Sequence, residues 1–480
     1  MLKKLAGQTA TYGLSSVLAR LLGNLLLPLQ TGRLSLHDFS ILSEALAYGA
    51  LLAVLFPLGL ETALFRFSNE NPDQKELTEN RIISFQILSA GLLLPAALLF
   101  LHWRMPVLDS GMLLVLGMTL VIDSVQGIFL ASLRNRQLPF SFLKVRLASV
   151  FLNIALNLFF LSGWQLADDF NPIGLNFRLI LWINLLCSAL AFFPMLSRLR
   201  LFQWKMDASL TRQVLLFSVP IVGMGLVGVG NEILGRIWLE YLCPPGFYPG
   251  VDNKDLIGIY SGAAKIAVFI NLGIQAYRYA ADPFFFSFQE RKDTARYMAS
   301  SFTWFLAAGL LAMVAIQCNM DFILQVFLRK PEFSLGKNAI FLLLMANLSF
   351  GTYYNLSFWY KFSGQTWWGT LISLSGLLVN GLGNWLLVPR FGMTGAGLAL
   401  LLCSFFMSLA SWYKGRTEFP VSWEYPKIGI LIFSALLFCL LPCILPAFIG
   451  SRWIYGILPP LLFSFVIIAL QKDQLKRHAA

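Results

Sequence analysis

About fourteen apolar runs, each of roughly 20 residues, follow one another along this chain. At 1.5 Å of rise per residue, such a run is the length a helix needs to cross ~30 Å of hydrocarbon. The runs fall at approximately 5–31, 39–67, 82–103, 107–133, 138–163, 174–197, 211–242, 256–288, 297–318, 337–360, 365–389, 393–413, 427–449 and 453–471. Hydrocarbon offers the backbone no hydrogen-bond partners, so spans of this kind satisfy themselves as helices. The chain therefore reads as an all-α polytopic membrane protein. Its 57% hydrophobic and 12% charged composition agrees, against about 25% charged residues in soluble domains.

The ends and loops refine this picture. Lys3 and Lys4 precede an apolar stretch that could mimic a signal peptide, but no small-residue cleavage site follows and the stretch continues past Arg20, so it is read as the first span. Residues 320–335 are amphipathic and are expected along the membrane surface. The net charge of +12 does not come from a basic run with interleaved aromatics, so nucleic acid is not an expected partner. About 23 of the 36 Lys and Arg residues fall on the side of the N-terminus, about nine on the other, and four (Arg20, Arg236, Lys265, Arg278) inside helices. The positive-inside rule then puts both termini in the cytoplasm, as an even number of spans requires.

The chain also repeats itself. Asn153-x3-Asn157 closes one apolar run, and Asn380-x3-Asn384 closes another about 227 residues later. The helices around the two pairs follow the same order, down to a short loop into a glycine-containing helix (Gly174; Gly392, Gly395, Gly397). We read a duplication of six helices, which implies two bundles related by a pseudo-twofold axis along the membrane normal. The expected divisions are 1–200, 201–420 and a terminal helix pair with its tail at 421–480.

Enzyme chemistry finds little support. The three histidines, His37, His102 and His478, lie in loops or at the terminus, and no Walker, HExxH or GxSxG motif occurs. Gly223-Met-Gly225-Leu-Val-Gly228 matches GxGxxG but sits inside an apolar run with no strand before it. The six cysteines are scattered without CxxC spacing, so no metal, cofactor or disulfide framework is expected.

Charges inside spans are what remains, because each costs several kcal/mol unless it faces water or a partner. Residues 257–286 carry Lys265, Arg278 and Asp282, while the preceding run holds Glu232, Arg236 and Glu240 at i, i+4 spacing. The last three can form a ladder on one helix face, and Arg278 and Asp282 have the same spacing; both sets either neutralise themselves or serve function. Arg20 and Lys265 have no acid four residues away, so a partner must come from another helix or from an anionic ligand. Glu44, Glu61 and Asp123 lie in the second and fourth runs. Pro28, Pro57, Pro220 and Pro283 fall in or near the ends of the runs that carry most of these charges, where bends are expected.

These features resemble a known family. Leu34-Ser-Leu-His-Asp-Phe-Ser opening the second run and Leu58-Gly-Leu-Glu-Thr-Ala-Leu-Phe-Arg66-Phe closing it are similar to the bacterial polysaccharide flippases of the Wzx type, in the multidrug/oligosaccharidyl-lipid/polysaccharide exporter superfamily. Asn231-Glu232-Ile-Leu-Gly-Arg236 and Gln275-Ala-Tyr-Arg278-Tyr-Ala-Ala-Asp282-Pro283 resemble that family's seventh and eighth helices. The resemblance implies an inner-membrane transporter. It would turn an undecaprenyl-diphosphate-linked oligosaccharide from the cytoplasmic to the periplasmic leaflet by alternating access, for O-antigen, capsule or exopolysaccharide synthesis. It further implies Arg20, Lys265, Arg236 and Arg278 as substrate contacts, since guanidinium and ammonium groups bind phosphate oxygens. Coupling or gating would fall to Glu61, Asp123, Glu232, Glu240 and Asp282, and a polysaccharide polymerase and chain-length regulator would be partners. Trp359, Trp367 and Trp368 are candidates for stacking on sugars, or else belong to an interfacial belt. Two relatives compete. A lipid II flippase shares an arginine like Arg20 but has further basic residues in its first two helices, where this chain has leucines and Glu44. A cation-coupled multidrug antiporter typically has twelve helices and an acid in the first.

Overall fold

The structure is a computed structural model that describes residues 21–70, 74–136, 138–161, 176–193, 204–287, 294–444 and 452–479. It is all-helical over these residues. The elements are α1 (Leu27–Arg33), α2 (Leu36–Leu55), α3 (Leu60–Glu70), α4 (Lys75–Arg104), α5 (Ser110–Asn135), α6 (Pro139–Leu161), α7 (Phe177–Phe192), α8 (Ala208–Leu242) and α9 (Asn253–Ser287). They continue with α10 (Thr294–Cys318), α11 (Met320–Ile323), α12 (Lys337–Leu356), α13 (Phe358–Phe362), α14 (Trp367–Glu418), α15 (Tyr425–Ile444) and α16 (Arg452–Ala479). Among the described residues, nine helices are long and apolar enough to cross a membrane, and three more are apolar but shorter. Each apolar run from the second onward has its helix; Arg20 and most of the first run lie outside the described residues. The chain divides into two compact units, Met1–Glu240 with Gly250–Gly258, and Tyr241–Pro249 with Ile259–Ala480.

In the first unit, the second run is one span broken in its middle. Ser35 caps α2 by accepting from Asp38 N–H at 2.9 Å, and its hydroxyl donates back to the Asp38 carboxylate at 2.6 Å. The helix stops before Pro57, which has no N–H to give, and Leu58 (φ 47) and Gly59 (φ 68) turn left-handed before α3 begins. The break frees the Phe56 carbonyl, and the wholly buried Gln86 of α4 donates to it at 3.0 Å. A break inside hydrocarbon is tolerable only with such a partner. α5 is the hub, packed against α2, α3, α4, α6 and α7. One end of it is tied down by Glu79 of α4, which is 1% exposed. Its carboxylate accepts from Ser132 Oγ at 3.0 Å, Asn135 Nδ2 at 2.9 Å, and Arg136 Nε and Nη2 at 3.0 and 2.8 Å. α8 runs through Pro220 as one helix of 35 residues.

In the second unit, α14 has 52 residues, about 78 Å of helix and far more than one span needs. It is two helices joined at Gly392, whose φ of 54° and ψ of −131° are open to glycine but not to residues with a Cβ. Pro389 precedes the joint. The arms then fold back so tightly that a Cβ on Gly395 would lie 2.3 Å from the Leu387 carbonyl oxygen. The Met393 N–H left over at the joint donates to Tyr248 Oη at 3.0 Å. Tyr248 lies in the loop between α8 and α9, where burial pushes its hydroxyl above the usual phenol value. Residues 320–335 do not form one amphipathic helix. They break into α11, a π-helical turn at Leu324–Leu328 and a 3₁₀ segment at Pro331–Gly336. α15 and α16 pack on each other and on α10, where Asn319 Nδ2 donates to the Gly456 carbonyl at 2.9 Å.

The two Asn-x3-Asn pairs adopt one geometry. Asn157 Nδ2 donates to the Asn153 backbone oxygen at 2.8 Å and to its Oδ1 at 3.2 Å. Asn384 Nδ2 donates to the corresponding atoms of Asn380 at 2.9 and 2.8 Å. Both Asn157 and Asn384 are buried, with Oδ1 lacking a partner in each. The two pairs thus share one local hydrogen-bond pattern.

Tyr248→Phe removes only the acceptor that satisfies Met393 N–H. It is expected to cost about 1–3 kcal/mol, the penalty for one stranded buried donor. Unfolding of the purified protein in detergent measures it, and an unchanged midpoint would show that the joint does not need Tyr248.

Candidate functional site

A cavity of about 430 Å³ lies inside the first unit, between α2, α5, α6 and α7. Its walls follow from helix periodicity, since residues three, four and seven apart share a face. α2 contributes small side chains, Gly49, Ala50 and Ala53, which leave room. The other three helices turn polar stripes inward: Thr119, Asp123 and Gln126 from α5, Arg146, Ser149 and Asn153 from α6, and Asn184 and Ser188 from α7. Polar stripes on otherwise apolar spans have a physical reason only if they face one another or water.

Within the cavity, Asp123 is open to the interior space and takes a hydrogen bond from Ser188, with Arg146 as its cationic neighbour. No ion pair joins Asp123 to Arg146 among the described residues, and both line the space. Three carboxamides form a relay. Asn157 Nδ2 donates to Asn153 Oδ1 at 3.2 Å, and Asn153 Nδ2 donates to Asn184 Oδ1 at 3.1 Å. The relay fixes the orientation of the Asn184 amide and leaves its N–H groups as donors for whatever fills the cavity. Behind the wall at Gly127 stands Glu61, close enough that a Cβ on Gly127 would lie 2.9 Å from Glu61 Oε1. Glu61 is bound to Arg134 at 2.7 Å, and the Arg134 guanidinium also lies over the rings of Phe65 and Phe142.

Of the site residues expected from the sequence, the structure places Asp123 in the cavity and Glu61 one wall away. Glu232, Arg236 and Glu240 lie on α8 and line no part of it. Arg236 is not without a partner, while its Nε and Glu240 Oε2 are buried without hydrogen-bond partners. Lys265 is half-buried in α9 and is not without a partner. Arg278 rests over the Tyr354 ring, 4.0 Å from its centroid. The side chain of Asp282 lies outside the described residues, as does Arg20. Trp359 is 4% exposed and donates to Ser411 Oγ at 3.1 Å, which makes it a packing residue rather than an open stacking platform. Trp367 and Trp368 pack against each other at 4.4 Å between centroids.

Sequence reasoning missed Arg146, Gln126, Asn184 and Ser188 as site residues. The available signal was their spacing: Gln126 falls one turn after Asp123, and Asn184 and Ser188 share one face of an apolar helix. A second cavity, of about 420 Å³, lies in the other unit between α9, α10 and α12. It is apolar, walled by residues such as Phe269, Trp304 and Phe305. Its polar end is Tyr277, whose hydroxyl is paired with Ser301 and donates to Asn355 Oδ1 at 2.7 Å.

No family model and no curated protein matches the sequence. Solved structures do match the fold. The lipid II flippase MurJ, in an inward closed conformation, superimposes with a TM-score of 0.74 at 13% identity, covering 96% of this chain and 99% of that one. An inward-facing multidrug-resistance MATE transporter of the MOP superfamily gives 0.61 at 12% identity, covering 83% and 94%. The Vibrio cholerae MATE transporter VcmN gives 0.56 at 12% identity, covering 87% and 97%. At these identities the similarity establishes the fold: this is a multi-pass membrane protein with the architecture shared by those flippases and transporters.

The cavity is expected to hold water. With the six native cysteines replaced by alanine, Ser149→Cys on the cavity wall should react with a small charged thiol reagent. Ser124→Cys, on the same unit but 4% exposed in the wild type, should not. Equal labelling of the two would remove the cavity as an aqueous site.

Proposed function

We propose that this protein flips an undecaprenyl-diphosphate-linked oligosaccharide from the cytoplasmic to the periplasmic leaflet of a bacterial inner membrane, by alternating access, for cell-surface polysaccharide synthesis. The observation that carries this reading is the extent of the match to a lipid II flippase, 96% of this chain against 83% and 87% for the two MATE transporters. The chemistry supports it. A diphosphate bearing sugars cannot cross hydrocarbon unaided, and the first unit offers a polar cavity at the level of its spans. In this reading both termini are cytoplasmic, following the Lys and Arg distribution. Arg20, Lys265, Arg236 and Arg278 contact the carrier's phosphates. Glu61, Glu232, Glu240 and Asp282 serve coupling or gating. A polysaccharide polymerase and a chain-length regulator act on the exported product.

A lipid II flippase is the second reading, favoured by the same structural match. Against it stands the scarcity of further basic residues in the first two spans, where α2 carries Glu44, 4% exposed. The antiporter reading has less support, because the MATE transporters match less of this chain, 83% and 87%.

The test is leaflet sidedness of lipid-linked glycans in cells depleted of this protein, with rescue by wild type, Lys265→Ala and Arg278→Ala. Accumulation of a polysaccharide precursor on the cytoplasmic face is expected, with severalfold weaker rescue by either variant at equal expression. Accumulation of lipid II instead would transfer the assignment to peptidoglycan. Unchanged sidedness with lost drug efflux would favour the antiporter.

A further inference from the structure

The cavity of the first unit is more specific than a generic polar lumen. Its charged wall residues are one acid, Asp123, and one base, Arg146, so their formal charges cancel. A diphosphate would bring two or more negative charges to a wall that already holds a carboxylate, and like charges in low dielectric repel strongly. A lipophilic cation meets the opposite obstacle in Arg146 and finds no aromatic ring on the lining to stack against. What remains is a neutral or zwitterionic ligand rich in hydroxyl or amide groups.

The rest of the wall suits that ligand. Gln126, Asn153 and Asn184 are carboxamides, each able to donate and accept. The Asn153-to-Asn184 hydrogen bond, at 3.1 Å, holds one of them in a fixed orientation with its N–H groups unspent. A carboxylate beside oriented carboxamides can take two neighbouring hydroxyls of a sugar ring, while the alanine and leucine wall of α2 and α5 covers the ring's C–H face. The volume of about 430 Å³ is in the range of small-ligand pockets, ~300–1,000 Å³.

We infer that this cavity is a saccharide subsite. It reads the uncharged or zwitterionic sugars of the transported headgroup, separately from the cations that hold the diphosphate. Asp123 is thereby a substrate contact rather than a coupling acid. The inference rests on the flippase reading above.

Binding to the purified protein in nanodiscs separates the two. One probe is undecaprenyl diphosphate, which has no sugar; the other is the pool of undecaprenyl-diphosphate-linked oligosaccharides extracted from the producing cells. Asp123→Ala and the near-isosteric Asn184→Leu should each weaken the oligosaccharide-bearing probe by about tenfold, the loss of roughly one well-placed hydrogen bond. Both variants should leave undecaprenyl diphosphate binding unchanged. Asn184→Leu keeps the number and branching of side-chain heavy atoms and adds no charge, so it keeps the test open if Asp123→Ala fails to fold. Equal weakening of both probes would mean that the cavity takes the diphosphate, and no weakening of either would mean that it takes no part of the substrate. Either result overturns the saccharide subsite while leaving the flippase reading intact. A wild-type protein that binds neither probe would bring down the flippase reading, and this inference with it.

Discussion

Everything in this architecture depends on one constraint: inside hydrocarbon a backbone N–H or C=O must find its partner within the protein. Unbroken helices meet it automatically, and most of the chain is unbroken helix. Two interruptions among the described residues, one inside the second run and one at the short joint between the eleventh and twelfth, show how freed backbone groups are met otherwise. At Pro57 the freed Phe56 carbonyl is taken by Gln86, and at Gly392 the freed Met393 N–H is taken by Tyr248. The two solutions use opposite halves of the peptide group and side chains from different segments. In both, a fully or partly buried polar residue that looks costly in isolation exists because the backbone beside it would otherwise go unpaired.

The same logic sorts the buried charges. Glu79 sits at the junction of α4 and α5 with four donors on its carboxylate. A buried acid so completely hydrogen-bonded is structural: it holds α5, the hub of its unit, and leaves no capacity for a ligand. Glu61 spends its charge on Arg134 in a partly exposed pair. Asp123 differs from both. It has a hydroxyl partner in Ser188 and a cationic neighbour, but its charge faces open space. Three acids within one unit thus fall into three environments, and only the last is available to something that comes and goes.

How much of this was legible in the sequence follows from what kind of signal each feature leaves. The helices and their order were legible because length and hydropathy are long, additive signals. The break at Pro57 and the joint near Gly392 were marked by residues whose backbone chemistry is unmistakable. Asp123 was legible as an acid in an apolar run. Arg146 was not, because a cation two turns from a helix start ordinarily extends its head to the membrane surface, and only the packing of α6 shows that it faces inward. Gln126 and Asn184 were missed because neutral amides carry no charge to stand out against an apolar background. Spacing along one helix also says nothing of partners from elsewhere: Arg278 lies on the face of Tyr354, an aromatic partner 76 positions away in sequence.

The paired asparagines show how one local motif can stand beside two different interiors. Asn153 and Asn157 repeat the hydrogen bonds of Asn380 and Asn384 atom for atom, so each pair first of all shapes its own helix. In the first unit that local motif is extended: Asn153 passes its remaining donor to Asn184 and so to the wall of a polar cavity. In the second unit the pair stays buried, at 1% and 0% exposure, and the cavity of comparable size is lined by aromatic and aliphatic side chains instead. A lipid carrying sugars is itself polar at one end and apolar at the other. Under the proposed function, a polar and an apolar cavity of similar volume would suit the two ends of such a substrate.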